Sequence, residues 1–157
     1  MRTHGEGETR YEVLRTGMNG RLDTLQAAIL LAKLDGFDAE LARREEIARF
    51  YDAGLRGKAV IPARVPDSVS AWAVYSVLLP DRARRDAVQE QLREAGVPSA
   101  VYYPRPLHHQ PAYRDHHDGA PLPVSEDLSG RILALPIHPE LTDAELARVV
   151  GAFPARL

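Results

Sequence analysis

A length of 157 residues with 45% apolar content is enough for one domain with a real hydrophobic core. A formal charge of −2 removes any bulk electrostatic case for nucleic acid or an anionic membrane, and the absence of cysteine removes disulfides and thiolate metal sites. The polar opening MRTHGEGETRYE lacks the apolar core of a signal peptide, and the longest apolar run, AAILLA, is too short to span a bilayer, so a soluble, cytoplasmic protein is expected.

The first twenty residues, MRTHGEGETRYEVLRTGMNG, carry four glycines and no clear periodicity, an unusual start for a self-contained domain. Residues 21–34, RLDTLQAAILLAKL, then read as a helix. Leu25, Ala28, Ile29 and Ala32 form one stripe, and Leu22, Leu30, Leu31 and Leu34 fill much of the rest, so this helix needs cover on more than one side. That excess predicts self-association through residues 21–34 as a homo-oligomer, or cover by a missing domain. A break at Asp35-Gly36 separates it from a second helix over 38–56, where Leu41, Ala48 and Leu55 repeat beside Ile47 and Tyr51. Glu40, Arg43, Arg44, Glu45, Glu46 and Arg49 cover its other side and read as a solvated face.

Beyond Pro62 and Pro66 the pattern changes. AWAVYSVLL (71–79) is a predicted strand, 82–95 a helix stopped by Gly96, and SAVYY (99–103) a short strand. A brief helix is expected from Ser125, a buried strand at LALPI (133–137), and a last helix from Thr142, whose TDAE sequence fits a capping box. The expected class is α+β: a three- or four-stranded, mostly antiparallel sheet with helices mostly on one face, preceded by long helices.

Three features carry candidate chemistry. VYYPRPLHHQPAY (101–113) sets three tyrosines and two histidines among three prolines, which excludes a helix interior or a central strand. With His116 and His117 nearby, His108 and His109 offer imidazoles for a metal, but adjacent histidines on an extended loop are expected to point apart, and no metal site is predicted. Base stacking by the tyrosines is disfavoured because only Arg105 and Arg114 accompany them, with Asp115 and Asp118 close by. GMNGRLD (17–23) places Asn19 and Arg21 just ahead of a helix, where they suit an anion, or where Asn19 serves as a cap or turn residue.

RTHG (2–5), GMNGRLDTLQAAIL (17–30), RREEIARFYDAGL (43–55), the Tyr/His loop and PVSEDLSGRILALPIHPELTDAEL (123–146), in this order and spacing, resemble the DegT/DnrJ/EryC1/StrS family of pyridoxal-phosphate (PLP) aminotransferases acting mainly on keto sugars. The resemblance covers essentially the whole chain and places it in the C-terminal part of a fold-type-I aminotransferase. It implies a dimer-forming helical segment over 1–57 and a small α+β domain over 58–157. It further implies that the Schiff-base lysine and most of the phosphate cup belong to a large domain preceding Met1. Lys33 and Lys58, the two lysines present, match no Schiff-base motif, so no catalytic residue is assigned. Asn19 matches an asparagine that reaches a partner subunit's cofactor phosphate, and Arg21 shares its motif. His108 matches a histidine at the active-site mouth, which makes the stiff loop, Tyr103 included, a substrate-facing wall. His138 fits the family pattern too, with a simpler role closing a buried strand. The predicted strand at 71–79 departs from the pattern: relatives often carry histidines there, and Trp72 and Ala73 stand instead. A keto sugar, nucleotide-linked, and an amino donor such as glutamate are the implied partners of the full enzyme. The alternatives are a non-catalytic dimerisation or binding module derived from the family, and a truncated reading frame.

Overall fold

The computed structural model describes residues 14–155 together with Gly7 and Glu12. The RTHG motif lies outside them. The described chain forms two units, Met1–Ala39 and Glu40–Leu157. The first contains α1 (Thr24–Leu34) and the start of α2 (Phe37–Leu55). The second takes the rest of α2, then β1 (Tyr75–Leu78), α3 (Arg82–Glu94), α4 (Pro123–Arg131), β2 (Ile132–Leu135) and α5 (Asp143–Gly151). Short 3-10 turns occupy Leu107–His109 and Arg114–His116.

The helix ends follow from side chains that satisfy free N–H groups. Asp23 caps α1 by accepting from the Leu25 and Gln26 N–H groups at 2.9 and 3.3 Å. Asp81 caps α3 by accepting from the Arg84 N–H at 2.8 Å, and Gly96, at φ +71°, turns the chain out of that helix. Thr142 and Glu145 form the expected capping box at α5.

The sheet has two antiparallel strands, in the register Tyr75↔Leu135, Ser76↔Ala134, Val77↔Leu133 and Leu78↔Ile132. Single antiparallel bridges extend it on both edges, Val60 to Leu78 and Ala100 to Ala134, so four chain segments lie side by side where three or four strands were expected. The outer two stop at one bridge each because prolines crowd them. Pro62 follows Val60, while Pro98 and Pro104 flank Ala100, and proline cannot donate to a ladder.

The core of the Glu40–Leu157 unit surrounds this sheet. Tyr75, Val77 and Leu79 alternate inward from β1 and its end, while Leu133, Ala134 and Leu135 are buried in succession, as a strand covered on both faces requires. Ile47, Ala48, Tyr51 and Leu55 of α2 are fully buried, joined by Val88 and Leu92 of α3 and by Leu146 and Val149 of α5. Each large apolar side chain so buried contributes about 1.5–3 kcal/mol relative to exposure. At Gly54 α2 lies close against α5: a Cβ there would lie 2.7 Å from Cγ1 of Val150.

Candidate functional site

Asn19 and Arg21 are exposed and lie just before α1. Because Asp23 is the cap, Asn19 is not spent on the helix end. Its Oδ1 instead accepts from Arg21 Nε at 2.8 Å. That bond holds the guanidinium in place and leaves the Asn19 amide and the outer guanidinium N–H groups as donors. N–H donors of this kind are suited to an anion. Of the two lysines, Lys33 is on α1, and Lys58 Nζ lies 3.4 Å from the Val150 carbonyl in the Glu40–Leu157 unit.

In the Glu40–Leu157 unit the Tyr/His loop packs beside α4. Tyr103 is exposed and lines a cleft of about 400 Å³ with Tyr102, Arg105, Leu107, Gln110 and Leu128. His108 lines a neighbouring cleft of about 660 Å³ with Tyr113, His116, His117 and Asp118. Leu107 and Ser125 border both clefts, so the two residues expected to face substrate open onto adjoining spaces. The His108 ring is 9% exposed, and its Nε2 lies 3.1 Å from Glu126 Oε1. The same oxygen accepts the Leu122 N–H at 3.0 Å. These bonds, the Leu122 N–H first and His108 second, hold the Glu126 carboxyl below its ordinary range and therefore ionised.

The loop departs from expectation in one respect. His108 and His109 do not point apart: both sit in one 3-10 turn, with ring centroids 4.1 Å from each other. The turn, rather than an extended backbone, brings consecutive side chains together. His117 packs its ring edge-on to His108 at 4.9 Å, and its Nε2 is buried without a hydrogen-bond partner. His138 is apart from this group, with its side chain 57% exposed and Nδ1 3.2 Å from Glu140 Oε2.

The charged side of α2 is solvated at Glu46 and Arg49, but Glu45 is half-buried in a polar cluster. Glu45 accepts from Trp72 Nε1 at 2.7 Å, Arg49 Nε at 2.7 Å and Arg64 at 2.8 Å. Burial opposes its ionisation, but these three donors outweigh burial and bring its pKa down to about 2. Arg64 also bonds Asp52, which accepts the Tyr75 hydroxyl at 2.7 Å, and the Arg64 guanidinium lies 5.2 Å from the Trp72 ring centre. Trp72 adopts φ +46°, an uncommon conformation for a bulky residue, and the Glu45 bond together with Ser70 Oγ on its own N–H holds it there. Trp72 is thus committed to packing against α2. A run of alternating charge carries no sign of which member folds inward. The signal lay in Trp72, whose indole N–H needs an acceptor once buried.

Comparison with known proteins agrees over almost the whole length. The model of the DegT/DnrJ/EryC1/StrS aminotransferase family matches residues 1–154. The chain is 41% identical over 95% of its length to a UDP-2-acetamido-2-deoxy-3-oxo-D-glucuronate aminotransferase of Pseudomonas aeruginosa, and covers 40% of that protein. It is 35% identical over 97% of its length to a dTDP-3-amino-3,6-dideoxy-alpha-D-galactopyranose transaminase of Aneurinibacillus thermoaerophilus, covering 41% of it. A crystal structure of a DegT DnrJ EryC1 StrS aminotransferase from Brucella abortus superimposes with a TM-score of 0.86 at 44% identity, over 95% of this chain and 39% of that one. The chain thus spans about two fifths of the length of the relatives it matches. On sequence and fold together, it belongs to the DegT/DnrJ/EryC1/StrS aminotransferase family.

Proposed function

We propose that this chain is the C-terminal portion of a PLP-dependent aminotransferase acting on nucleotide-linked keto sugars, with two contributions to the complete enzyme. Asn19 and Arg21 donate to the cofactor phosphate across a dimer interface, and the loop bearing Tyr103 and His108 forms a wall of the sugar site. Bound PLP supplies the electron sink for amino-group transfer; this chain's residues hold and orient. The observation that carries the reading is the Asn19–Arg21 pair, kept free of helix capping by Asp23 and presenting several N–H donors on one short segment. The names of the relatives, both aminotransferases of nucleotide sugars, supply the substrate class. A stiff, proline-rich backbone around Tyr103 and His108 lowers the entropy lost when a sugar is held.

A second reading, a dimerisation or binding module without catalysis, is favoured by one observation: α1 has no buried residue and presents its aliphatic side chains outward. A large domain covering α1 accounts for the same exposure.

The test is a chimera in which this chain replaces the matched segment of the Pseudomonas aeruginosa relative. Asn19→Ala should weaken PLP retention about ten- to a hundredfold, the equivalent of about 1.5–3 kcal/mol for a hydrogen bond to a charged group. His108→Ala should lower turnover and leave PLP retention unchanged. Equal retention with and without Asn19 would take it away from the phosphate. A chimera that binds PLP but never turns over would favour the binding module.

A further inference from the structure

The His108 turn has a capacity that an aminotransferase does not call on. Among the described residues, His108, His109 and Glu126 each bring one potential ligand atom into a group whose members lie within 4.8 Å of one another. The closest separation, 3.1 Å between His108 Nε2 and Glu126 Oε1, is near the distance of about 3.3 Å between ligand atoms in a tetrahedral site with bonds of about 2.0–2.1 Å. His109 is exposed, so its ring can rotate to close the remaining gap. Two neutral imidazoles and one carboxylate make a nitrogen–oxygen donor set that suits zinc and its neighbours rather than calcium or magnesium.

We propose that His108, His109 and Glu126 form a binding site for a zinc-class divalent cation, which would tie the Leu107–His109 turn to α4.

One contact beside the group fits this assignment. The Leu122 N–H fixes Glu126 Oε1 by a bond of 3.0 Å, the kind of supporting contact that orients a ligand before the metal arrives. The remaining coordination positions would be open to solvent, because His109 faces a shallow space of about 270 Å³ on one side and His108 the 660 Å³ cleft on the other. The assignment does not depend on the aminotransferase reading, since it needs only the loop and α4.

The test uses the untagged 157-residue chain, stripped with a chelator and titrated with zinc chloride by calorimetry at neutral pH. One equivalent should bind saturably, and cobalt in its place should give visible absorption bands that zinc bleaches. His109→Ala and Glu126→Gln should each weaken binding about 10- to 100-fold or more, the loss typical even for supporting residues of metal sites. His116→Ala, an exposed histidine of the same loop, should leave the affinity unchanged. His109 is at the surface, so its variant keeps the urea midpoint and reports on binding alone. The proposal is overturned if the chain shows no saturable zinc binding. It also fails if His109→Ala binds as tightly as the unaltered chain, or if His116→Ala costs as much as His109→Ala.

Discussion

Helices α1 and α2 are neighbours in sequence and opposite in circumstance. Along α1, Leu25 is 76% exposed, Ile29 62% and Leu31 66%, and no residue is buried. Along the second half of α2, Ile47, Ala48, Tyr51 and Leu55 are all 0% exposed. Both segments are rich in large apolar side chains, yet only one has found cover. The amount of apolar surface on a helix sets how much burial it needs, and the partner that supplies the burial is a separate matter. For α2 the partner is this chain's own sheet, whereas α1 buries none of its residues.

The strongest way to sharpen that contrast is to truncate one leucine on each side. Leu133 is fully buried in β2, and Leu133→Ala should cost about 2–5 kcal/mol, the transfer loss plus the cavity left behind. Leu31→Ala on α1 should change the same unit's stability by about 0.5 kcal/mol or less. Urea denaturation followed by the fluorescence of Trp72, the only tryptophan, measures both. Comparable losses at the two positions would mean that α1 is part of the same cooperative core.

A middle-sized effect is expected from the polar clasp that holds the 62–72 segment to α2. Glu45→Gln removes the charge that Trp72, Arg49 and Arg64 share, at a cost of about 1.5–3 kcal/mol for bonds to a charged group. The pH dependence follows from the direction of the shift. Glu45 has a folded pKa of about 2 against an ordinary 4.5, so its contribution is complete above about 4.5 and is lost as the pH falls towards 2. In Glu45→Gln the denaturation midpoint should fall less steeply across that window. Parallel acid profiles for the two proteins would leave Glu45 with no part in acid stability.

These contrasts also mark what could be read from residues alone. The capping box at Thr142 and the stop at Gly96 are local chemistry, and both stand where the sequence places them. The α+β class followed from periodicity in the same way, because alternation and helical stripes are properties of short windows. The strand count was less legible: Val60 and Ala100 each pair once, and how far a strand runs depends on prolines acting at its edge. For the candidate site, Asn19 and His108 were singled out by their motifs, whereas Glu126 was not, since its bond to His108 spans eighteen residues of sequence. The close approach of the His108 and His109 rings was misread because it depends on whether the backbone is extended or turned, and tandem histidines are silent on that. Glu45 was hidden among five charged neighbours that look the same in sequence.

The smallest effect on stability should come with the largest effect on association. Leu22, Leu25, Ile29, Leu30, Leu31 and Leu34 are each more than half exposed, from 51% at Leu30 to 76% at Leu25. Each would contribute about 1.5–3 kcal/mol on full burial, so covering even three offers several kcal/mol, on the scale of a domain's net stability. The chain by itself should therefore pair through α1, with the same patch on each partner. A glutamate at the centre of that patch would place a charge where it has no counterpart. Leu30→Glu should abolish the pairing while shifting the urea midpoint of the Glu40–Leu157 unit by about 0.5 kcal/mol or less, because that unit does not rely on Leu30. Sedimentation at micromolar concentration reads the association, and Trp72 fluorescence reads the unit. An unaltered chain that sediments as a monomer, with no change on dilution, would remove self-association as the cover for α1. A Leu30→Glu chain that loses its core along with its partner would erase the distinction between the two helices.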